Sequence, residues 1–312
     1  MQKIIFSVLF SAFAVTLAAC SVDTDLNTTT ANQIARPAFM VERNIDAGNF
    51  SIQAWERMHE RGQAATIYIE GDGVSMKRDA EDVITKILPN NTPENPVALH
   101  LASRDKSKNL GYLARPCQYV KNPTEKGCDA AYWQDKRYTA EVMMSYQAAL
   151  NDMAARYDLT SFHLVGYGGG ANIAAVLAAT RDDVLTLRTV AGNLSPNYSV
   201  NYHDAMPLAG ESVLATDYGS KLANIPQHHF IGAGDDVIPP GVYHSYRQSL
   251  GLSECINYSV VQDADHTRGW VQVWPQLLTL MPECAEVYKE LPPLPPPQEF
   301  PGDYYKGKIL GK

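Results

Sequence analysis

The chain has 312 residues and a formal net charge of −8. That balance argues against nucleic acid as a partner, since phosphate binding draws on a surplus of Lys and Arg. Hydrophobic residues make up 45 % of the sequence. A folded-type stretch of about 255 residues, from near Pro37 to near Leu291, suits one large α/β domain with a sizeable core.

The first residues read as a targeting leader. Met1-Gln2-Lys3 is a short positive region, and Ile4 to Thr16 is an apolar run too short for a comfortable membrane span. Leu17-Ala18-Ala19-Cys20 then resembles the lipobox of bacterial lipoproteins. The resemblance implies a signal peptide over 1–19, cleavage before Cys20, lipid on Cys20, and attachment to the membrane of the cell envelope. Ser21 rather than Asp after the cysteine implies the outer membrane. Residues 20–36 are rich in Thr, Asn and Asp without periodicity and are expected to form a flexible tether. Four further cysteines, Cys117, Cys128, Cys255 and Cys284, are an even number in an exported chain and suggest disulfides. Of the three possible pairings, Cys117–Cys128 and Cys255–Cys284 are expected, each closing one local excursion. The chain has no C-x-x-C and no clustered His, so no metal site is expected.

Strands are predicted at Phe39–Asn44, Phe50–Arg57 and Ala65–Glu70, with the Arg61-Gly62 link suggesting a hairpin-like start. A helix is predicted over Asp79–Leu88, then strands over Val97–Ala102 and Leu110–Leu113. Arg137–Tyr157 is a long amphipathic helix with Val142, Met143, Tyr146, Leu150 and Met153 at helical spacing. Strands follow at Phe162–Val165, Val184–Val190, His228–Ile231 and Ile256–Val261. Helices are predicted at Ala171–Thr180, Gly241–Leu250 and Val271–Leu280. This alternation predicts an α/β fold with a mainly parallel sheet covered by helices on both faces. Two stretches break the pattern: Pro116–Lys136, and Asn193–Ala223, a long loop-like insert that is either the rim or lid of a site or surface decoration. The segment 37–290 is thus one domain. The 291–312 tail is Pro-rich and should extend as polyproline II.

The most informative motif is Gly166-Tyr167-Gly168-Gly169-Gly170, between an apolar strand and a helix-forming run. It has the layout of the nucleophile elbow G-x-S-x-G, with Gly168 where serine should stand. Further along, Gly232-Ala233-Gly234-Asp235-Asp236 follows an apolar strand. It offers Asp235 as a catalytic acid, with Asp236 as the adjacent alternative. His266 follows the last strand. Nucleophile position, acid and histidine therefore come in the order used by α/β-hydrolases. There the His takes the hydroxyl proton and the Asp fixes its tautomer. Tyr68-Ile69-Glu70-Gly71-Asp72-Gly73 is either a simple D-G turn or the loop that supplies an oxyanion N–H from Gly71 or Asp72, with the second from Gly169.

These motifs together resemble the α/β-hydrolase superfamily over roughly residues 60–285. With Tyr112–Tyr119 they look like a group of exported bacterial members. The resemblance implies carboxyl-ester or related acyl hydrolysis without a cofactor. Gly168 removes the nucleophile, and no other residue obviously replaces it; Ser75 and Ser195 could lie near the pocket, but nothing in the sequence places either next to His266. Loss of the nucleophile leaves a residual of about 10³–10⁴ over water in a measured protease, a drop of about 10⁶. The expected function is that of a catalytically impaired envelope lipoprotein, a pseudoenzyme that binds a small-molecule or protein ligand. The alternative is an active hydrolase using His266 and Asp235 with another nucleophile or water.

Overall fold

A computed structural model of the chain describes residues 22–73, 76–78, 84–87, 91–120 and 127–285. The stretch 1–19 expected to be a signal peptide, Cys20 and the Pro-rich 291–312 tail lie outside them. An eight-stranded sheet forms the centre. Its strands are β1 (Val41–Ala47), β2 (Phe50–Met58), β3 (Ala65–Ile69), β6 (Asn109–Leu113), β7 (Phe162–Tyr167), β8 (Val184–Val190), β9 (Gln227–Gly232) and β10 (Ile256–Val261). Their spatial order is β1-β2-β6-β3-β7-β8-β9-β10. Every pairing from β6 to β10 is parallel, and only β1–β2 and β2–β6 are antiparallel. The hairpin is therefore β1–β2, closing with Ala47 opposite Phe50. No hairpin joins β2 to β3 at Arg61-Gly62, because β6 lies between them.

Both faces are covered, so β3 is buried along its whole length. Alternate residues feed two cores, as the period of two requires. On one face Ile67 and Leu164 join Val142, Tyr146 and Leu150 of α3 (Ala140–Tyr157), together with Ile173 and Leu177 of α4 (Gly170–Thr180). On the other, Tyr68 and Val165 meet Leu99 and Leu101 of α2 (Val97–Arg104) and Trp270 and Trp274 of α8 (Trp270–Leu277). Smaller helices α5 (Pro196–Tyr202) and α6 (Gly219–Leu222) fall in the insert read as a loop, and α7 (Pro240–Leu250) follows β9. The disulfides are Cys117–Cys128 and Cys255–Cys284.

Three expectations are corrected. The stretch read as a tether forms α1 (Val22–Ala35), which buries Ala31 and Ala35 in the second core and presents Asn32 Oδ1 to the Trp55 indole N–H at 2.9 Å. Tertiary contacts order a Thr- and Asn-rich sequence that has no apolar stripe of its own. Residues 97–104 form α2 rather than a strand. The run is apolar and short, a length at which burial hides the period; Val97, Ala98, Leu99, Leu101 and Ala102 are all buried. Within 79–88, the described residues are strand β5 (Ile84–Ile87), antiparallel to β4 (Met76–Arg78), not helix. The rest of that stretch, and Ser75, lie outside the described residues.

Candidate active site

The site gathers at the C-terminal ends of β3, β7, β9 and β10. At the end of β7 the chain turns abruptly into α4. Gly166 lies so close to Ala171 that a Cβ there would collide with its backbone, which is why the outer glycine of the motif is needed. Gly168 has φ +51, a conformation that L side chains rarely adopt. The elbow geometry is thus present with no side chain at its apex.

His266 faces that apex. A Cβ placed on Gly168 would lie 3.5 Å from His266 Nε2 and 3.6 Å from Cε1. The other ring nitrogen, Nδ1, is 3.1 Å from Asp235 Oδ2, and the Asp235 side chain is fully buried. The loop after β9 aims this carboxylate. Its Oδ1 accepts the backbone N–H groups of Val237 and Ile238, at 3.0 and 2.7 Å, which leaves Oδ2 for the imidazole. Asp236 is exposed and takes no part, so the choice between the two adjacent acids falls on Asp235. The histidine loop has its own brace. Asp265 accepts the N–H groups of Thr267 and Arg268, bonds that hold its carboxyl below the usual range. Tyr167 stacks near the imidazole, ring centres 5.3 Å apart, and donates its hydroxyl to the His266 carbonyl at 3.0 Å. Burial holds the Tyr167 phenol neutral.

The loop after β3 lies against the elbow, with Gly71 Cα 3.6 Å from the same Cβ position. Of its expected donors, Gly71 is corrected: its N–H is given to Glu70 Oε1 at 2.9 Å. The next peptide is oriented by Gln118, whose Nε2 donates to the Gly71 carbonyl at 3.2 Å. In a trans peptide the N–H points opposite to the carbonyl, so the Asp72 N–H faces away from Gln118. Among the described residues neither the Asp72 N–H nor the Gly169 N–H has a hydrogen-bond partner. These two remain as candidate oxyanion donors.

Several residues that sequence reasoning missed hold this loop. Glu70 is buried, and its carboxylate accepts the Gly71 N–H at 2.9 Å and the Tyr112 hydroxyl at 3.1 Å, with the Ala98 and Leu99 backbone at the start of α2 also favouring its charge. Its negative charge thus faces the N-terminal end of α2, whose N-cap residue Pro96 supplies no side-chain bond. Burial outweighs those bonds and pushes its pKa up to about 7. The Asp72 carboxylate lies against Gly169. It pairs with the buried Arg115 guanidinium at 2.7 Å and accepts the Tyr138 hydroxyl at 3.0 Å. Arg137 approaches the same carboxylate at 3.6 Å. Ser195, considered as a stand-in nucleophile, is engaged elsewhere, its hydroxyl 2.9 Å from that of Ser245 in α7.

No protein-family model matches this sequence, and comparison with curated proteins finds no relative. Solved structures do match. Est1E from Butyrivibrio proteoclasticus is similar at 12 % identity and a TM-score of 0.51, over 76 % of this chain and 97 % of its own. TT1662 from Thermus thermophilus is similar at 16 % identity and a TM-score of 0.50, over 77 % of this chain and 97 % of its own. The acylaminoacyl peptidase of Pyrococcus horikoshii is similar at 12 % identity and a TM-score of 0.53, over 80 % of this chain and 42 % of its own. With the strand order and the strand–elbow–helix unit, these likenesses show that the chain has the α/β-hydrolase fold.

Proposed function

We propose that this chain is a catalytically impaired α/β-hydrolase-fold protein of the bacterial envelope, anchored by lipid on Cys20, that works by binding a ligand or protein at the elbow. The observation that carries this reading is the pairing of an aligned His266–Asp235 dyad with an apex, Gly168, that has no hydroxyl. A serine hydrolase forms an acyl-enzyme at that apex, and glycine cannot. What remains can still recognise a carbonyl or carboxylate, through the Asp72 and Gly169 N–H groups and the positive end of α4.

A second reading is favoured by one distance. His266 Nε2 faces the apex from 3.5 Å beyond the Cβ position, near enough to serve a nucleophile smaller than a side chain. In that reading His266 takes a proton from water as the water oxygen bonds to an acyl carbon. It then returns the proton to the departing alkoxide, giving acid and alcohol. A fluorophosphonate probe tests both readings together, and an ester-hydrolysis assay separates them. The purified protein should not be labelled under either reading. Labelling that disappears in His266→Ala would reveal a nucleophilic side chain and overturn both. Ester hydrolysis by the unlabelled parent, lost in His266→Ala, would establish the water reading instead of the first.

A further inference from the structure

Helix α1 runs beside α2 in the same direction, and its first turns lie at the site-bearing end of the molecule. Asn27 donates to the Thr92 carbonyl at 3.4 Å; the adjacent Asn91 donates to the Asp72 carbonyl at 2.8 Å. At the far end, Arg57 grips the Ala38 carbonyl and, beyond α2, those of Asp105 and Ser107, close to the start of β6. Fourteen residues of α1 span about 21 Å between these ends. Only Ser21 separates Cys20 from Val22. Two residues of chain reach at most about 7 Å, so a lipid carried at Cys20 would tether the molecule by its site end rather than by the opposite one.

A second observation concerns the same end. The insert after β8 carries an exposed apolar group beside the acid loop. Tyr198 and Tyr202 of α5 stack with ring centres 6.4 Å apart. Tyr202 is 60 % exposed and Met206 57 %. His203 Nε2 lies 2.8 Å from the carbonyl of Val237, itself exposed and two residues past Asp235. Tyrosines whose rings are apolar and whose tips are polar suit the boundary between water and lipid. Leu26, exposed in the first turns of α1, lies toward the same end.

We infer that the face carrying the elbow is turned toward the bilayer that holds the anchor, with Tyr198, Tyr202, Met206 and Val237 seated in its interface. The inference rests on the proposed lipid on Cys20. It specifies that the ligand of the site reaches it along the membrane surface. Asp204 and Asp236 border the patch and are exposed, so attachment comes from apolar burial and not from attraction to anionic lipid.

The test uses the full chain in its own membranes. The other cysteines are consumed by two disulfides and, in the proposal, by lipid, so one introduced cysteine reports alone. Tyr202→Cys and Met206→Cys are compared with Leu252→Cys, which is 99 % exposed and stands just before Cys255 at the start of β10, the end opposite the site. A membrane-impermeant maleimide should label the two rim variants at least about tenfold more slowly on membranes than after release in detergent, while Leu252→Cys labels equally in both. The slowing should persist at high salt. A membrane-bound protein whose rim variants label as fast as Leu252→Cys overturns the orientation and leaves the anchor standing. A protein recovered wholly in the soluble fraction overturns the anchor and the orientation together.

Discussion

Gly168→Ser should convert this chain into an ester hydrolase. The added Cβ meets nothing closer than His266 Nε2 at 3.5 Å and Gly71 Cα at 3.6 Å, both ordinary contacts. The hydroxyl, one bond further, can turn to within the roughly 2.6–3.2 Å that general-base catalysis needs. The imidazole is already in the right tautomer, since Nδ1 meets the Asp235 carboxylate and Nε2 is left for the hydroxyl. General-base activation alone contributes about 10²–10⁴ in rate, so hydrolysis of short p-nitrophenyl esters should rise at least about 100-fold over the parent. The same substitution has a structural cost. At φ +51 a serine is strained, by on the order of 1–3 kcal/mol, which should lower the melting temperature by about 2–10 °C in a domain of this size. Gain of rate and loss of stability should appear together. The new activity should vanish with His266→Ala and fall sharply with Asp235→Asn, while Asp236→Asn, at an exposed side chain, should leave it intact. A serine variant that is folded, melts lower as expected, yet hydrolyses no ester faster than the parent and takes no fluorophosphonate, would refute the claim that dyad and elbow are aligned for attack.

Glu70 gives a test by pH. Burial raises its folded-state pKa from 4.5 to about 7, so the folded state holds the proton more tightly than the unfolded chain. Its contribution is therefore full below about pH 4.5 and is lost as pH rises through about 7, a change on the order of 3 kcal/mol. Glu70→Gln cannot ionise, and its melting temperature relative to the parent should climb between pH 5 and 7.5; a constant difference would show that Glu70 does not titrate in this window. Peptide mapping without reductant should return Cys117–Cys128 and Cys255–Cys284. Removing the first pair as a double Ser variant should cost about 2–4 kcal/mol in a denaturant titration, and a neutral result would mean the 117–128 loop is already fixed without it. Cys20→Ser should leave an uncleaved precursor or release the protein from the membrane fraction, whereas a processed, membrane-bound variant would rule out lipid attachment there.

The parallel core was legible because its strands carry their own punctuation. β8 and β10 begin and end where the sequence pattern places them, and the elbow is marked by glycines whose spacing has a steric cause. Order along the chain sufficed to bring Asp235 and His266 together. What failed depends on partners far away in sequence. Helix α2 starts against the Glu70 carboxylate, 27 residues or more upstream, and α1 is held by Trp55 and Thr92. Neither partner is marked in the sequence that it orders. Arg115 is likewise unremarkable until the fold sets it 2.7 Å from Asp72, 43 residues away. Loop position alone offers Gly71 or Asp72 as a donor, and it does not reveal that Glu70 has already taken the Gly71 N–H.

The supports of the site do not depend on a side chain at its apex. Asp235 is aimed by two N–H groups of its own loop, and His266 is held by Asp235, by Tyr167 and by the Asp265 brace. None of these contacts involves a side chain at position 168. The loop after β3 is fixed by Glu70, Gln118, Arg115 and Tyr138, again without it. Removal of a hydroxyl from the apex therefore breaks no bond in the frame and relieves a strained conformation. The chemistry at such a site can be lost in one substitution while its shape persists. That asymmetry makes a binding function at the elbow accessible to this fold, and it makes the serine variant a direct readout of how much of the frame has been kept.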